Sequence, residues 1–258
     1  MSHPSGDAEA VGTHASDQPY TRALSPPRPK GQALNDEAIG SSASSRLGFT
    51  AALNTALLCG AIRQGDYQLT SHLLSYGCDP NCRDEDGSTP LHLAAVLGLT
   101  RIIATLAQAG GNIEARAGAQ QSTPLLQAAE HGQTAAAISL LDLGANANAL
   151  DSSGTTALEL AASGNNIRLL IALIKRGAVV DARSGVNGWT ALQCAAGFNR
   201  PAAISALVRF GADVNNRDNV GDTPLMTACS LGHIDCVQQL LAGGADPSLQ
   251  TLVRHCDS

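Results

Sequence analysis

Apolar residues follow two regimes along this chain. From Met1 to Arg46 they are scattered among Ser, Pro, Gly, Asp and Ala without a period, as in MSHPSGDAEAVGTHASDQPYTRALSPPRPK. Such a stretch cannot bury enough surface to offset its ordering entropy, which predicts a disordered tail over residues 1–46. From Leu47 onward apolar positions recur at helical spacing. There the order Thr-Pro-Leu-His at 89–92 returns as Thr123-Pro124-Leu125-Leu126, Thr156-Ala157-Leu158-Glu159, Thr190-Ala191-Leu192-Gln193 and Thr223-Pro224-Leu225-Met226. The steps between successive threonines are 34, 33, 34 and 33. A second marker keeps step with the first: Gly77-Cys78-Asp79, Gly110-Gly111-Asn112, Gly144-Ala145-Asn146, Gly177-Ala178-Val179, Gly211-Ala212-Asp213 and Gly244-Ala245-Asp246. Two independent markers on one period define an internal repeat.

Each position in the unit has a local physical role. Thr supplies a capping hydroxyl, and the Pro after it is preset for a first helical turn. Adjacent alanines (Ala94-Ala95, Ala128-Ala129, Ala161-Ala162, Ala195-Ala196) let neighbouring helices approach closely. Leucine pairs at 73–74, 140–141 and 240–241 are expected on the inner face of a second helix. The Gly beyond each pair can take the left-handed conformation that ends a helix, and Asp, Asn and Gly then make the turn.

The unit DxxGxTPLHxAAxxG…LLxxGADxN resembles the ankyrin repeat, a β-turn followed by two antiparallel helices. Six copies are delimited at about 51–83, 84–116, 117–150, 151–183, 184–217 and 218–250. The first is divergent, and the third and fifth carry one extra residue near Ala117 and Ser184. The resemblance implies an all-α solenoid of helix-turn-helix units with β-turn fingers over residues 47–250, behind the tail. No unit can bury both faces alone, so stacking makes the core and terminal units must face water. Arg63, Gln64, Gln68 and His72 suit the first copy to that role, and Leu249, Leu252 and Val253 could begin a short C-terminal cap ending at residue 258.

Composition narrows the functional classes. Aromatics are only 3% of a chain that is 44% hydrophobic, which suits a thin layered structure of Ala and Leu better than a deep globule. A net charge of −6 without a basic stripe argues against nucleic acid. No apolar run approaches the ~18 residues of a membrane span, and the polar N-terminus lacks a secretory leader. Seven dispersed cysteines then predict reduced thiols inside the cell, in cytoplasm or nucleus.

No active site emerges. His92 belongs to the TPLH signature, where the imidazole is expected to bond within its own turn. Cys194 and Cys229 fall near the alanine positions of first helices and are expected to be small buried groups. Cys78 and Cys82 have a chelating spacing but no second pair of ligands, and Cys229, His233 and Cys236 are expected on different helices. An enzyme would need Glu130 and His131 to meet a thiol. No catalytic residue, cofactor or metal is therefore assigned. Ser25-Pro26-Pro27-Arg28-Pro29-Lys30 contains a minimal PxxP, read as a spacer or as a docking motif.

What remains is surface. Ankyrin-type proteins bind protein partners on the concave side, through the turn tips and first helices. By that resemblance the expected partner-facing residues are Tyr76, Val96, Leu97, Glu130 and His131, then Val186, Trp189, Phe198, Phe210, Val220, Asp222 and Leu231. The only Trp and two of three Phe lie in the fifth copy. Large exposed rings beside Val186, Val220 and Leu231 have the composition of an interface hot spot. The other reading is that they fill space around the altered loop GFNRP, with the helix register slipped there. As an interface residue, Trp189 could be truncated with little loss of stability; as packing, it could not. The expected function is a monomeric adaptor, scaffold or inhibitor, unless the short cap pairs with a second copy. The alternative is a regulatory piece of a larger multidomain protein.

Overall fold

The computed structural model describes the backbone of residues 37–249 and the side chains of 50–249. The PxxP segment and the cap expected over 251–258 lie outside the described residues. The chain divides into two units, Met1–Ala43 and Ser44–Ser258. Of the first, only 37–43 is described, and it is helical. Helix α1 runs over Glu37–Arg63, so it begins within the stretch assigned above to the tail. The run SSASSR has no apolar spacing, which is why the pattern gave no sign of it.

After α1 the helices come in alternating lengths of nine and seven residues. The first helices are α3 (Pro90–Val96), α5 (Pro124–Glu130), α7 (Ala157–Ser163), α9 (Ala191–Gly197) and α11 (Pro224–Ser230). The second helices are α2 (Tyr67–Ser75), α4 (Thr100–Gln108), α6 (Thr134–Asp142), α8 (Ile167–Lys175), α10 (Pro201–Arg209) and α12 (Ile234–Ala242). First helices pack on first helices and second on second, making two layers. The fifth pair has the same seven and nine residues as the others, so the register is not slipped at GFNRP. Asn199 stands in the left-handed slot (φ 57°) that Gly65, Gly98, Gly132 and Gly232 fill elsewhere, and Asn tolerates that conformation.

The threonines line up as expected. Thr89, Thr123, Thr156, Thr190 and Thr223 are all buried, with extended backbones that precede the first helices. Four of them accept the N–H three residues on: Leu126, Glu159, Gln193 and Met226. Leu91, Leu125, Leu158, Leu192 and Leu225 beside them form one buried column. Leu106, Leu140, Leu173, Leu207 and Leu240 form a second, fully buried column. The alanine pairs close the space between layers. In the last pair the pattern breaks. Cys229 and Leu241 are exposed rather than buried, because no further helix pair covers α11 and α12 among the described residues.

Two hydrogen-bond ladders run along the stack. In the first, the last residue of each GADxN-type marker accepts a backbone N–H from the next unit. Asn81 holds Asn112, Glu114 holds Asn146, Asn148 holds Val179, Asp181 holds Asp213 and Asn215 holds Asp246, at 2.7–3.2 Å. In the second, an arginine before the fingers of units two, three and five binds carbonyls of its own finger and of the next unit. Arg83 donates to Gly87 and Arg116, Arg116 to Gln121 and Leu150, and Arg183 to Gly188 and Arg217. Leu150 occupies the arginine position ahead of the fourth unit and is exposed.

The fingers alternate between two closures. In units two, four and six an aspartate folds back on its own turn: Asp84 accepts from Asp86 and Ser88, Asp151 from Ser153 and Thr155, Asp218 from Val220 and Asp222. Units three and five have Ala117 and Ser184 there, plus the extra residue. Their fingers close without that aspartate by backbone pairing, Ala117 with Ser122 and Ser184 with Trp189, while in unit four a like pairing of Leu150 with Thr156 accompanies the aspartate.

Candidate partner-binding groove

The fourth position of each TPLH-type signature is a strut between units. His92 sits under the Thr89 cap, with Nδ1 2.7 Å from the Thr89 hydroxyl and 3.3 Å from its amide nitrogen. Its Nε2 lies 3.0 Å from the Ser122 carbonyl oxygen of the next unit. The Thr89 N–H can only donate, so Nδ1 accepts and Nε2 carries the proton. Gln193 makes the same two bonds: Oε1 accepts the Thr190 N–H and Nε2 donates to Asp222. Glu159 reaches the Ser184 hydroxyl. Burial holds the His92 pKa below its usual value and pushes that of Glu159 up. All three are structural.

The expected surface residues fall in three rows. Leu97, His131, Phe198 and Leu231 are the residues that end first helices α3, α5, α9 and α11, all of them exposed, with half-buried Val96 and exposed Glu130 just before two of them. Val186, Trp189, Val220 and Asp222 belong to the fingers of units five and six. Tyr76 and Phe210 end second helices instead, and line neither depression described below.

Trp189 and Phe198 stand at opposite ends of α9, about 10 Å of helix, and face different neighbours. Trp189 lines an open depression of about 460 Å³ with Val186, Asp222, Val220 and Leu231. Phe198 lines another of about 560 Å³ with Glu130, Ser163 and Arg200. The rings do not form one cluster. Trp189 is half-buried and held: its indole N–H donates to Asp218 at 3.2 Å, and its six-membered ring lies against Gly197. A Cβ at Gly197 would approach that ring to 3.2 Å, so the absence of a side chain there makes room for it. Around this floor, Val186 is 93% exposed, Val220 64% and Leu231 54%.

The rival chemistries do not assemble. His131 Nδ1 lies 3.0 Å from its own helix carbonyl at Gln127, and no thiol lines the depression that holds Glu130. His233 meets the Ala196 carbonyl, Cys236 donates to Asn199, and Cys229 is exposed. Cys194 is buried as expected, its thiol pushed up to about 12 by burial. Among the described residues no group of three or more His, Cys, Asp or Glu could hold a metal. Nor is any helix among them long and apolar enough to cross a membrane.

A family model described as ankyrin repeats matches residues 57–151, 112–184 and 158–251. The chain belongs to the ankyrin-repeat family. Ankyrin-repeat domains are in general protein–protein interaction modules, typically without catalysis. Among solved structures, the ankyrin repeat domain of Bcl-3, a member of the IkappaB family, is 28% identical with a TM-score of 0.70, covering 76% of this chain and 89% of that one. An ankyrin repeat domain from Acinetobacter baumannii AYE is 30% identical with a TM-score of 0.67, covering 74% and 99%. Among curated proteins, the human ankyrin repeat and SOCS box protein 16 is 31% identical over 125 residues, 48% of this chain and 26% of that protein. Potassium channel KOR2 of Oryza sativa subsp. japonica is 44% identical over 59 residues, 23% of this chain. The match spans only 8% of the channel, so the likeness is confined to a short segment of it.

Neither of the two hydrogen-bond ladders nor the Trp189–Asp218 bond was read from the sequence. The arginines carry a visible signal, since Arg83, Arg116, Arg183 and Arg217 recur in step with the threonines.

Proposed function

We propose that this stack is an adaptor, scaffold or inhibitor that holds a protein partner in the groove between its fingers and first helices. The primary contact is the depression of units five and six, where Val186, Val220 and Leu231 surround the exposed edge of Trp189. The observation that carries this reading is the gathering of three exposed aliphatic side chains around one fixed aromatic floor, an arrangement that water alone does not favour. Leu97, Glu130, His131 and Phe198 extend the surface toward the earlier units. The two ladders hold these groups at fixed spacing before a partner arrives, so little ordering entropy is lost on binding.

The test is affinity capture with the wild type and a Val186→Ser/Val220→Ser variant. Both side chains are exposed and outside the core, so melting should be unchanged while a captured partner is lost. An identical set of captured proteins from both forms refutes the reading. The alternative, a regulatory segment of a larger protein, is supported by the small share of each curated relative that the chain matches.

A further inference from the structure

The first unit contains a thiol pair that the groove does not use. Thr55, Cys59 and Arg63 are four residues apart on α1, so they share one face at intervals of ~6 Å. The chain beyond α2 crosses that face. Arg63 bonds Asp84 at 3.0 Å, and Cys82 stands two residues earlier, at most ~7 Å away along a non-helical stretch. The step along the chain matches the step along the helix, and Cys82 meets Cys59. The Cys59 thiol donates toward the Cys82 sulfur, and the Thr55 side chain, whose hydroxyl donates to the Ala51 carbonyl at 3.0 Å, borders the same depression as Cys82. The turn is fixed on its far side, where Asn81 bonds Gly110 and Asn112 of the next unit.

The two sulfurs differ in character. The bond from Cys59 outweighs burial and the Asp79 charge, lowering the Cys82 pKa to about 7. Acting as donor, together with burial, pushes the Cys59 thiol well up. Cys82 is half-buried and borders a depression of about 200 Å³, whereas Cys59 is 1% exposed and borders a separate one of about 360 Å³. Cys78 also borders that depression but is buried, with its thiol raised by burial.

We propose that Cys82 and Cys59 are an attacking and a resolving thiol that form a reversible disulfide when a low-molecular-weight disulfide such as glutathione disulfide is the oxidant. The Cys82 thiolate attacks one glutathione sulfur, forming a mixed disulfide and expelling a glutathione thiolate. Cys59 then gives its proton to solvent and attacks the Cys82 sulfur, expelling the second glutathione. Two protein thiols and one disulfide become one protein disulfide and two glutathione thiols, with no other oxidant. The bond would tie α1 to the turn that enters the second unit.

The full chain is incubated with glutathione disulfide at neutral pH, alkylated, and cut with trypsin and an Asp-directed protease. Cleavage before Asp79 separates Cys78 from Cys82 in the wild type, so fragment 47–63 joined to 79–83 identifies the bond without a substitution. That link should appear and should vanish on adding reduced glutathione. In Cys59→Ser, Cys82 should instead keep one glutathione as a stable adduct. In Cys82→Ser, Cys59 should remain free. The idea is overturned if wild-type Cys82 keeps its glutathione unlinked, if Cys59 joins Cys78, or if both thiols stay untouched while exposed Cys229 reacts.

Discussion

Removal of the Trp189 side chain separates its two roles. Trp189→Phe keeps an aromatic ring over Gly197 but deletes the indole N–H, leaving the nearly buried Asp218 carboxylate with its two backbone donors and one unpartnered oxygen. A hydrogen bond to a charged group contributes about 1.5–3 kcal/mol when its partner is left buried. Asp218 retains some contact with water, so about 1–2 kcal/mol is expected. Trp189→Ala also loses a half-buried ring, about 100 Å² at ~25 cal/mol per Å², or a further ~2.5 kcal/mol. The total is about 4 kcal/mol, felt at the join of units five and six. In a stack where each unit leans only on its neighbours, that loss should detach the last unit first. Urea unfolding followed by circular dichroism at 222 nm should show an early transition in Trp189→Ala and a smaller shift in Trp189→Phe. Two variants that both unfold in one transition, with the midpoint and slope of the wild type, would refute the packing argument.

Leu150→Arg should complete the arginine ladder by reaching the Gly154 and Arg183 carbonyls, as Arg116 reaches Gln121 and Leu150. A gain of about 0.5–1 kcal/mol in urea unfolding is expected, and a loss would show that the position does not accept the staple. His92 stays neutral in the folded chain because burial lowers its pKa, while the unfolded chain takes up a proton below about pH 6.5. Stability carried by this residue is therefore present at pH 7.5 and declines toward pH 5. His92→Gln, which can copy the bonds of Gln193, should narrow the gap in melting temperature between those two pH values. An unchanged gap would mean that His92 is protonated in the fold.

The fold was legible because its determinants are local. Thr caps, Pro starts, alanine pairs and Gly ends each act within a few residues and recur on one interval, so the pattern exposes them. What was not legible depends on side-chain direction across units. Nothing local tells Cys59 on α1 that Cys82 will pass over it, or turns Trp189 toward Asp218 and Phe198 toward the other depression. The three aromatics were grouped by their nearness in sequence, but even a short helix holds Trp189 and Phe198 apart. Cys229 occupies an alanine position whose burial is supplied by the following unit, a condition that pattern cannot report for the last pair.

The two finger closures make neighbouring units unlike and alternate units alike. The steps from Thr89 to Thr156, from Thr123 to Thr190 and from Thr156 to Thr223 are equal, each spanning one short and one long unit. The interchangeable block of this protein is therefore a doublet. Excision or insertion of a doublet brings a matching seam together, whereas adding or removing a single unit sets two turns of the same type side by side.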